Sequence, residues 1–494
     1  MTAFALLLLM AAPVDGAEPS DARPNILFVF ADDLGYGDLS CFGQSRVETP
    51  ACDRLAAEGT VFEQFTVASG VCSPSRVATM TGHFPSRYRV FQHFAKPEQN
   101  AARGMPDYLT LDAPMLPAIL RKAGYATGHF GKWHLSSYHP SVPDPAEYGF
   151  DQTNVFNGNG PSVFDGLEGT EFWPKRATTE RAKAVLLSPA ATEHADRFIR
   201  KHAEKPWFVN LWLHETHQLT VATEEEKAKY ADVPEPKRTY LANVDRADRC
   251  VAKMLATLDE LNLAERTIVV FSSDNGPENS NPNPKHKLYT SVGEAGNRRG
   301  RKRSLYLGGV NVPFIVRWPG EVPAGRRDEE TVISAVDLMP TFLAAANVEP
   351  PEGYESDGEN VLAVWRGQPF ERSRPLFWHW SAARPTSPAD WPELGMRDGR
   401  YAMVAAPSRD RVELYDVLAD PSQANDLSET ETDRAKAMLD AAIAFRETLP
   451  EAPAVNVNGP IPAKAPQGDA KQRARDKRKA ERREAALKER RAAE

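Results

Sequence analysis

Three apolar runs in this chain end directly in acidic, amide or imidazole side chains, and this constrains the fold more than any other feature. Asn25-Ile26-Leu27-Phe28-Val29-Phe30-Ala31 runs into Asp32-Asp33. Trp207 to Leu213 runs into His214-Glu215-Thr216-His217, and Thr267 to Ser273 runs into Asp274-Asn275-Gly276. A fourth run, Val312 to Trp318, stops at Pro319-Gly320. Runs this short and this apolar read as buried parallel strands. Between them, Leu116–Lys122, Pro189–His202 and Leu241–Leu261 carry apolar residues at helical spacing. The alternation predicts an α/β fold with a large, mainly parallel or mixed central sheet flanked by helices. Such sheets bind ligands beyond the carboxyl ends of their strands, which is where the polar clusters fall.

From about Pro375 the pattern changes. Pro375 to Trp380, Gly395 to Arg397, Arg400 to Val404 and Val412 to Asp416 read as short antiparallel strands, with turns at Gly399 and Ser408–Arg411 and a helix over Thr432–Thr448. The expected layout is an α/β domain over residues 22–370, a smaller C-terminal α+β subdomain over 371–455, and a charged tail over 456–494. The tail, with stretches such as Arg475-Asp476-Lys477-Arg478-Lys479, has no face that could pack and is expected to be solvated.

A length of 494 residues allows a large core plus a smaller one, and 41% apolar with 26% charged residues is ordinary for a soluble globular protein. The net charge of −8 argues against nucleic acid as the main partner. Phe4 to Ala12 is an apolar stretch too short to span a bilayer comfortably, and Gly16-Ala17 follows as at a cleavage site, so residues 1–17 read as a signal peptide. No Lys or Arg precedes Arg23 to supply the usual positive start. The expectation is export to the periplasm or the exterior, with no transmembrane segment. Four cysteines, Cys41, Cys52, Cys72 and Cys250, do not make a disulfide scaffold, and pairing of Cys41 with Cys52 stays open.

The chemistry-bearing residues form a coherent set. Cys72-Ser73-Pro74-Ser75-Arg76 opens a helical pattern, and a thiol at a helix N-terminus is a candidate nucleophile because the dipole lowers its pKa. Asp32-Asp33 and Asp274-Asn275 offer an all-oxygen ligand set, better suited to Ca²⁺ or Mg²⁺ than to zinc. Gly131-Lys132-Trp133-His134-Leu135 places a cation and an imidazole two residues apart, on one side of an extended segment. His214-Glu215-Thr216-His217 is one residue short of the zinc-protease motif.

Taken in order, residues from about 24 to 430 resemble the type I, formylglycine-dependent sulfatases of the alkaline-phosphatase superfamily. The resemblance is carried by Pro24 to Leu27 leading into Asp32 to Asp38, by Thr49-Pro50 ahead of Asp53 to Ala56, and by Cys72 to Arg76 followed by Thr81-Gly82. It continues through Gly131 to Leu135, Thr216-His217, Ser273 to Gly276, Gly300 to Lys302, Arg397 to Tyr401 and Glu413 to Asp416. The resemblance implies a sulfuric ester hydrolase acting on a sulfate ester, expected to be that of a carbohydrate. It implies that Asp32, Asp33, Asp274 and Asn275 hold one Ca²⁺, and that Cys72 is converted to formylglycine by a formylglycine-generating enzyme and joins the metal shell. Arg76 would steady the hydrate, with Lys132, His134, His217 and Lys302 around the sulfate. One hydroxyl of the hydrate would attack sulfur and form a covalent sulfate ester. His217, assisted by Lys302, would protonate the leaving oxygen, and His134 would take a proton from the second hydroxyl to expel sulfate.

Departures from the family pattern also carry expectations. Leu307-Gly308-Gly309-Val310-Asn311 replaces the usual Glu-Gly-Gly-x-Arg, as though a structural ion pair had been dropped as a unit. His83 and Ser136 are also unusual and are expected to reshape the pocket mouth. Two alternatives follow: a phosphonate monoester or phosphodiester hydrolase using the same modified cysteine, and a degenerate sulfoglycan-binding protein.

Overall fold

The computed structural model describes residues 23–137, 139, 141–156, 187–217, 220–278, 291–380 and 392–453. The expected signal peptide (1–17) and charged tail (456–494) lie outside these residues. In chain order the strands are β1 (Asn25–Ala31), β2 (Thr60–Phe62), β3 (Phe65–Thr66), β4 (Ala126–Lys132), β5 (Gln152–Phe156), β6 (Trp207–Trp212) and β7 (Thr267–Ser273). They continue as β8 (Phe314–Arg317), β9 (Arg326–Asp328), β10 (Ile333–Ser334), β11 (Leu376–His379), β12 (Leu394–Asp398), β13 (Tyr401–Ala405) and β14 (Val412–Asp416). Eight form one sheet in the order β5-β4-β6-β1-β7-β8-β2-β9.

The most apolar runs are central because both faces of their strands are covered. On one face, Ile26, Phe28 and Phe30 join Val270, Trp212 and the helix Cys72–Thr81. On the other, Leu27 and Val29 join Val209, Val269 and the helices Leu187–Lys201 and Lys237–Glu260. Strand β1 pairs in parallel with β6 and β7, with Phe30 opposite Trp212 and Ala31 opposite Ser273. This register brings the polar residues after all three strands out at one edge.

Two strand expectations need correction. The run Val312–Trp318 contains β8, but β8 runs antiparallel to both β7 and β2. A parallel partner needs a crossover connection. Here the chain after β7 reaches the carboxyl edge and comes back down beside β7. An apolar run shows burial, whichever way the strand runs. Strand β4 was not among the expected strands because Ala-Thr-Gly-His-Phe-Gly-Lys is no apolar run, yet all its residues are buried.

The C-terminal region matches its expectation closely. β11 to β14 form an antiparallel sheet, with the helix Thr432–Glu447 packed against it through Met438, Leu439 and Ala442. The aromatic run at 377–380 is core strand, with Trp378 and Trp380 buried and Trp378 Nε1 donating to Val67 O at 2.8 Å. None of the described helices is long and apolar enough to cross a membrane.

Candidate active site at the carboxyl edge of the sheet

Residue 72 sits at the first position of the helix Cys72–Thr81, every residue of which is buried. The small polar residues of the motif tie this helix to the loops around it. Ser75 Oγ donates to Ser69 O at 2.9 Å, and Phe94 N donates to Ser73 Oγ at 3.0 Å. Burial pushes the Cys72 thiol up, against the opposing fields of Lys132 and Lys302. Burial thus works against the lowering of this thiol's pKa expected at a helix terminus.

Asp32 and Asp33 follow β1, and in an extended chain their side chains would point to opposite faces. Asp33 instead takes φ 61°, a left-handed conformation uncommon outside glycine, and this turns both carboxylates into the same site. Lys132 Nζ donates to Asp32 Oδ2 at 2.5 Å, and Lys302 Nζ donates to both Asp33 oxygens at 2.6 Å. Asn275 Nδ2 donates to Asp33 Oδ1 at 2.8 Å. Asp33 N donates to Asp274 Oδ1 at 3.1 Å, while Arg76 Nε and Nη2 donate to Asp274 Oδ2 at 3.0 and 2.5 Å.

Three buried carboxylates this close cannot all ionise freely. Burial pushes Asp274 up to about 7, with Asp32 adding to the shift and Arg76 and Lys132 opposing it. Burial also pushes Asp33 up, against Lys302. Burial works against Asp32 as well, but Lys132, His217 and His214 hold it well below the usual carboxylate range. Asp32 Oδ1 and Asn275 Oδ1 are buried without a hydrogen-bond partner. Orphaned acceptors among crowded carboxylates are the chemistry of a hard-cation site. Ligand atoms of Asp32, Cys72 and Asp274 all lie within 4.8 Å of one another.

Arg76 is wholly buried; its guanidinium also lies 3.7 Å from Asp32 and 4.8 Å from the Trp212 ring centroid. The structure makes it the ion partner of Asp274. Lys132 and His134 both reach the site, though not by strand alternation, because β4 ends at Lys132 and His134 takes φ 54°. His134 Nε2 lies 3.1 Å from Phe94 O and, facing a carbonyl, must donate, which leaves Nδ1 as the basic nitrogen. Burial, with Lys132 and His93 nearby, holds His134 well below the ordinary imidazole range. His217 is held low by burial and by Lys302, and its Nε2 is 3.7 Å from Asp33 Oδ2.

Sequence reasoning missed three contributors. His214 Nδ1 lies 3.3 Å from Asp32 Oδ2, and its ring stacks on His217 with centroids 5.3 Å apart. The signal was available, since His214 ends the same apolar run. Buried Glu278 lies 3.8 Å from Lys302 Nζ and accepts from Arg303 Nη1 at 2.6 Å. His129, inside β4, donates from Nε2 to Lys132 O at 3.0 Å while Asn210 Nδ2 lies 3.3 Å from its Nδ1, so it braces the turn that carries Lys132. No local pattern marks Glu278 or His129.

The departures from the motif read differently in three dimensions. Asn311 Nδ2 donates to Glu63 O and Phe65 O at 2.9 and 2.7 Å, and its Oδ1 accepts from Arg298 Nε. Arg298 donates to this amide and not to a carboxylate, and position 307 is a buried leucine, so among the described residues no ion pair stands in for the one the motif lacks. His83 lies just past the far end of the helix Cys72–Thr81, bonded to Tyr88 and Glu355 O, so it does not shape the mouth. Ser136 is buried and bridges to Tyr108 through the backbone. The four cysteines are free.

Comparison with known proteins agrees with this geometry. The sulfatase family matches residues 24–348, and the C-terminal family of N-sulphoglucosamine sulphohydrolase matches residues 297–446. The chain is 31% identical over 403 residues to an N-acetylgalactosamine-6-sulfatase of Canis lupus familiaris, covering 76% of this chain and 72% of that protein. It is 26% identical over 492 residues to an N-acetylgalactosamine-6-O-sulfatase of Bacteroides thetaiotaomicron, covering 82% and 90%. Among solved structures it is similar to Ps i-CgsB in complex with k-i-k-neocarrahexaose, with a TM-score of 0.72, 25% identity, and 88% and 95% of the two chains covered. The chain belongs to the sulfatase family and is a sulfatase enzyme.

Proposed function

We propose that this sulfatase hydrolyses the sulfate ester of a carbohydrate, using formylglycine at position 72 and one Ca²⁺. The observation that carries the reading is the buried oxygen set of Asp32, Asp33, Asp274 and Asn275, two of its acceptors orphaned, beside Cys72 and the two lysines. A hard divalent cation fits this set, and Asp32, Asp33, Asp274 and Asn275 would hold it together with residue 72. Once bound, the ion supplies Lewis-acid neutralisation of the sulfate oxygens and acidifies the hydroxyl of residue 72. An unmodified thiol has no second hydroxyl, whereas the hydrated aldehyde supplies two hydroxyls on one carbon, one to attack and one whose deprotonation releases sulfate.

The remaining steps belong to side chains. Lys132 and Lys302 leave their carboxylate partners for the incoming sulfate and neutralise its charge as the sulfur–oxygen bond stretches. Arg76 orients Asp274 and favours its ionised form against burial. His217 donates from Nε2 to the departing sugar oxygen, assisted by Lys302; burial first and the lysine fields second hold this imidazole low, and the incoming anion opposes the second. His134, fixed by Phe94 O, takes the proton of the second hydroxyl at Nδ1. The carbohydrate part is supported by the sugar sulfates named for the two relatives and by the saccharide complex of the structural neighbour. Export, with maturation by a formylglycine-generating enzyme, is part of the same proposal.

The test is protein whose Cys72 peptide is verified as formylglycine by mass spectrometry, assayed for sulfate release from sulfated sugars and 4-nitrophenyl sulfate. A matched nitrophenyl phosphodiester serves as control, and Cys72→Ala is expected to be inactive. Verified modification with no turnover across the panel would sink the proposal, and a higher kcat/KM for the phosphodiester would redirect it.

A further inference from the structure

His93 sits one residue before a backbone position clamped to the site from two sides. Phe94 N is held by Ser73 Oγ next to Cys72, and Phe94 O accepts from His134 Nε2. The half-buried His93 ring lies 6.2 Å, centroid to centroid, from the His134 ring. The segment that follows is stiffened around buried Asn100, whose side chain bonds Ala95 N and O at 2.9 and 3.1 Å and Asp107 Oδ1 at 3.0 Å. Arg103 caps the helix Pro97–Ala102 and turns back to His93, its Nη1 donating to His93 O at 3.0 Å.

Arg103 differs from the site's other cations. Lys132 faces Asp32, Lys302 faces Asp33, and Arg303 is paired with Glu278. Arg103 is half-buried, yet among the described residues it has no carboxylate partner, and burial alone pulls its pKa down. Holding a partly desolvated guanidinium without a counter-charge is costly. Burial first, and then the fields of Arg103, Lys302, Arg303 and Lys132, push His93 down to about 3. His93 therefore stays a neutral imidazole, able to donate a hydrogen bond beside the free cation.

We propose that Arg103, with His93 beside it, forms an anion-recognising subsite at the rim of the active site. It takes a second sulfate or a carboxylate of a saccharide whose scissile sulfate sits against Lys132, His134 and Lys302. The proposal rests on the sulfated-carbohydrate reading above and adds that the preferred substrate carries a further negative charge. The guanidinium offers a planar fork for an oxyanion, and the positive rim steers anionic chains toward the site.

The test compares kcat/KM for a monosulfated neutral sugar, a disulfated disaccharide, and a sulfated disaccharide carrying a uronate. In Arg103→Gln the preference for the doubly charged substrates is expected to fall by about tenfold or more, with a flatter salt dependence, whereas Arg103→Lys keeps most of the preference. The disaccharide whose preference collapses identifies the anion as sulfate or carboxylate. Calorimetric binding of the disulfated disaccharide to Cys72→Ser protein, with and without Arg103→Gln, reads the subsite without turnover and so separates its failure from failure of the sulfatase chemistry. An unchanged preference in a folded Arg103→Gln variant, an equal loss on all three substrates, or equal binding by the two Cys72→Ser proteins would overturn the proposal.

Discussion

At the scale of single residues, the site is a balance of buried charges. Arg76 illustrates this because its guanidinium is shared between Asp274 and Asp32 and lies over Trp212 and Phe30. Removing one partner of a buried pair leaves an uncompensated charge, so Arg76→Ala is expected to lower stability by about 3–5 kcal/mol as well as abolish activity. Urea unfolding monitored by tryptophan fluorescence checks the first part. A variant as stable as the parent would show that Arg76 does not balance these carboxylates. The motif Cys-x-Pro-Ser-Arg was legible in the sequence; that its arginine serves Asp274 was not, because the two lie on separate elements and meet only when helix packs on sheet.

At the scale of elements, the carboxyl edge of the sheet assembles the site, and β4 shows how little tolerance it has. Gly131 takes φ 107°, and a Cβ there would fall 2.0 Å from Trp212 O on the neighbouring strand. Gly131→Ala is expected to cost about 3 kcal/mol and to reduce kcat sharply, although no reacting group has changed, because Lys132 is displaced. A thermal melt with steady-state kinetics on the same preparation checks both; normal kinetics would show that β4 can shift without moving Lys132. The three runs that build the edge were readable as strands because each is apolar enough to be covered on both faces. β4 and the direction of β8 were not. The first buries Thr127, His129 and Lys132 through specific partners, and the second depends on where the preceding loop leaves the chain.

At the scale of the whole molecule, the C-terminal sheet contributes none of the groups described at the site, yet it holds the loop that carries Lys302. Glu413 Oε2 accepts from Tyr306 and Tyr415 hydroxyls at 2.5 and 2.7 Å and from Arg299 at 3.3 Å, and Leu307 N donates to Gln423 Oε1 at 2.8 Å. Glu413→Ala removes the acceptor that Tyr306 and Tyr415 share and is expected to cost about 3 kcal/mol and to speed hydrogen exchange across residues 299–311. Unaltered exchange there would detach the latch from the loop. Burial opposes ionisation of Glu413, but its tyrosine and arginine partners hold it below the ordinary value of 4.5. The latch's ionic contribution is thus complete above that pH and is lost as pH falls through the folded value. Chelation tests the molecule as a whole. Treatment with EGTA and desalting is expected to abolish sulfate release and lower Tm, and Ca²⁺ at a hundredfold excess over Kd restores about 2.7 kcal/mol. Full activity after verified removal would refute the calcium assignment. The sequence by itself determined the class of fold, the central strands, the C-terminal subdomain and most of the side chains that meet at the carboxyl edge, because apolar runs, turns and motif residues are local signals. Only the tertiary structure decided the pairing of Arg76 with Asp274, the bracing by His129, the contact of Arg298 with Asn311, and the position of Arg103 beside His93 with no carboxylate partner among the described residues. Each depends on distance and desolvation between segments far apart in the chain, and neither quantity is written in local composition.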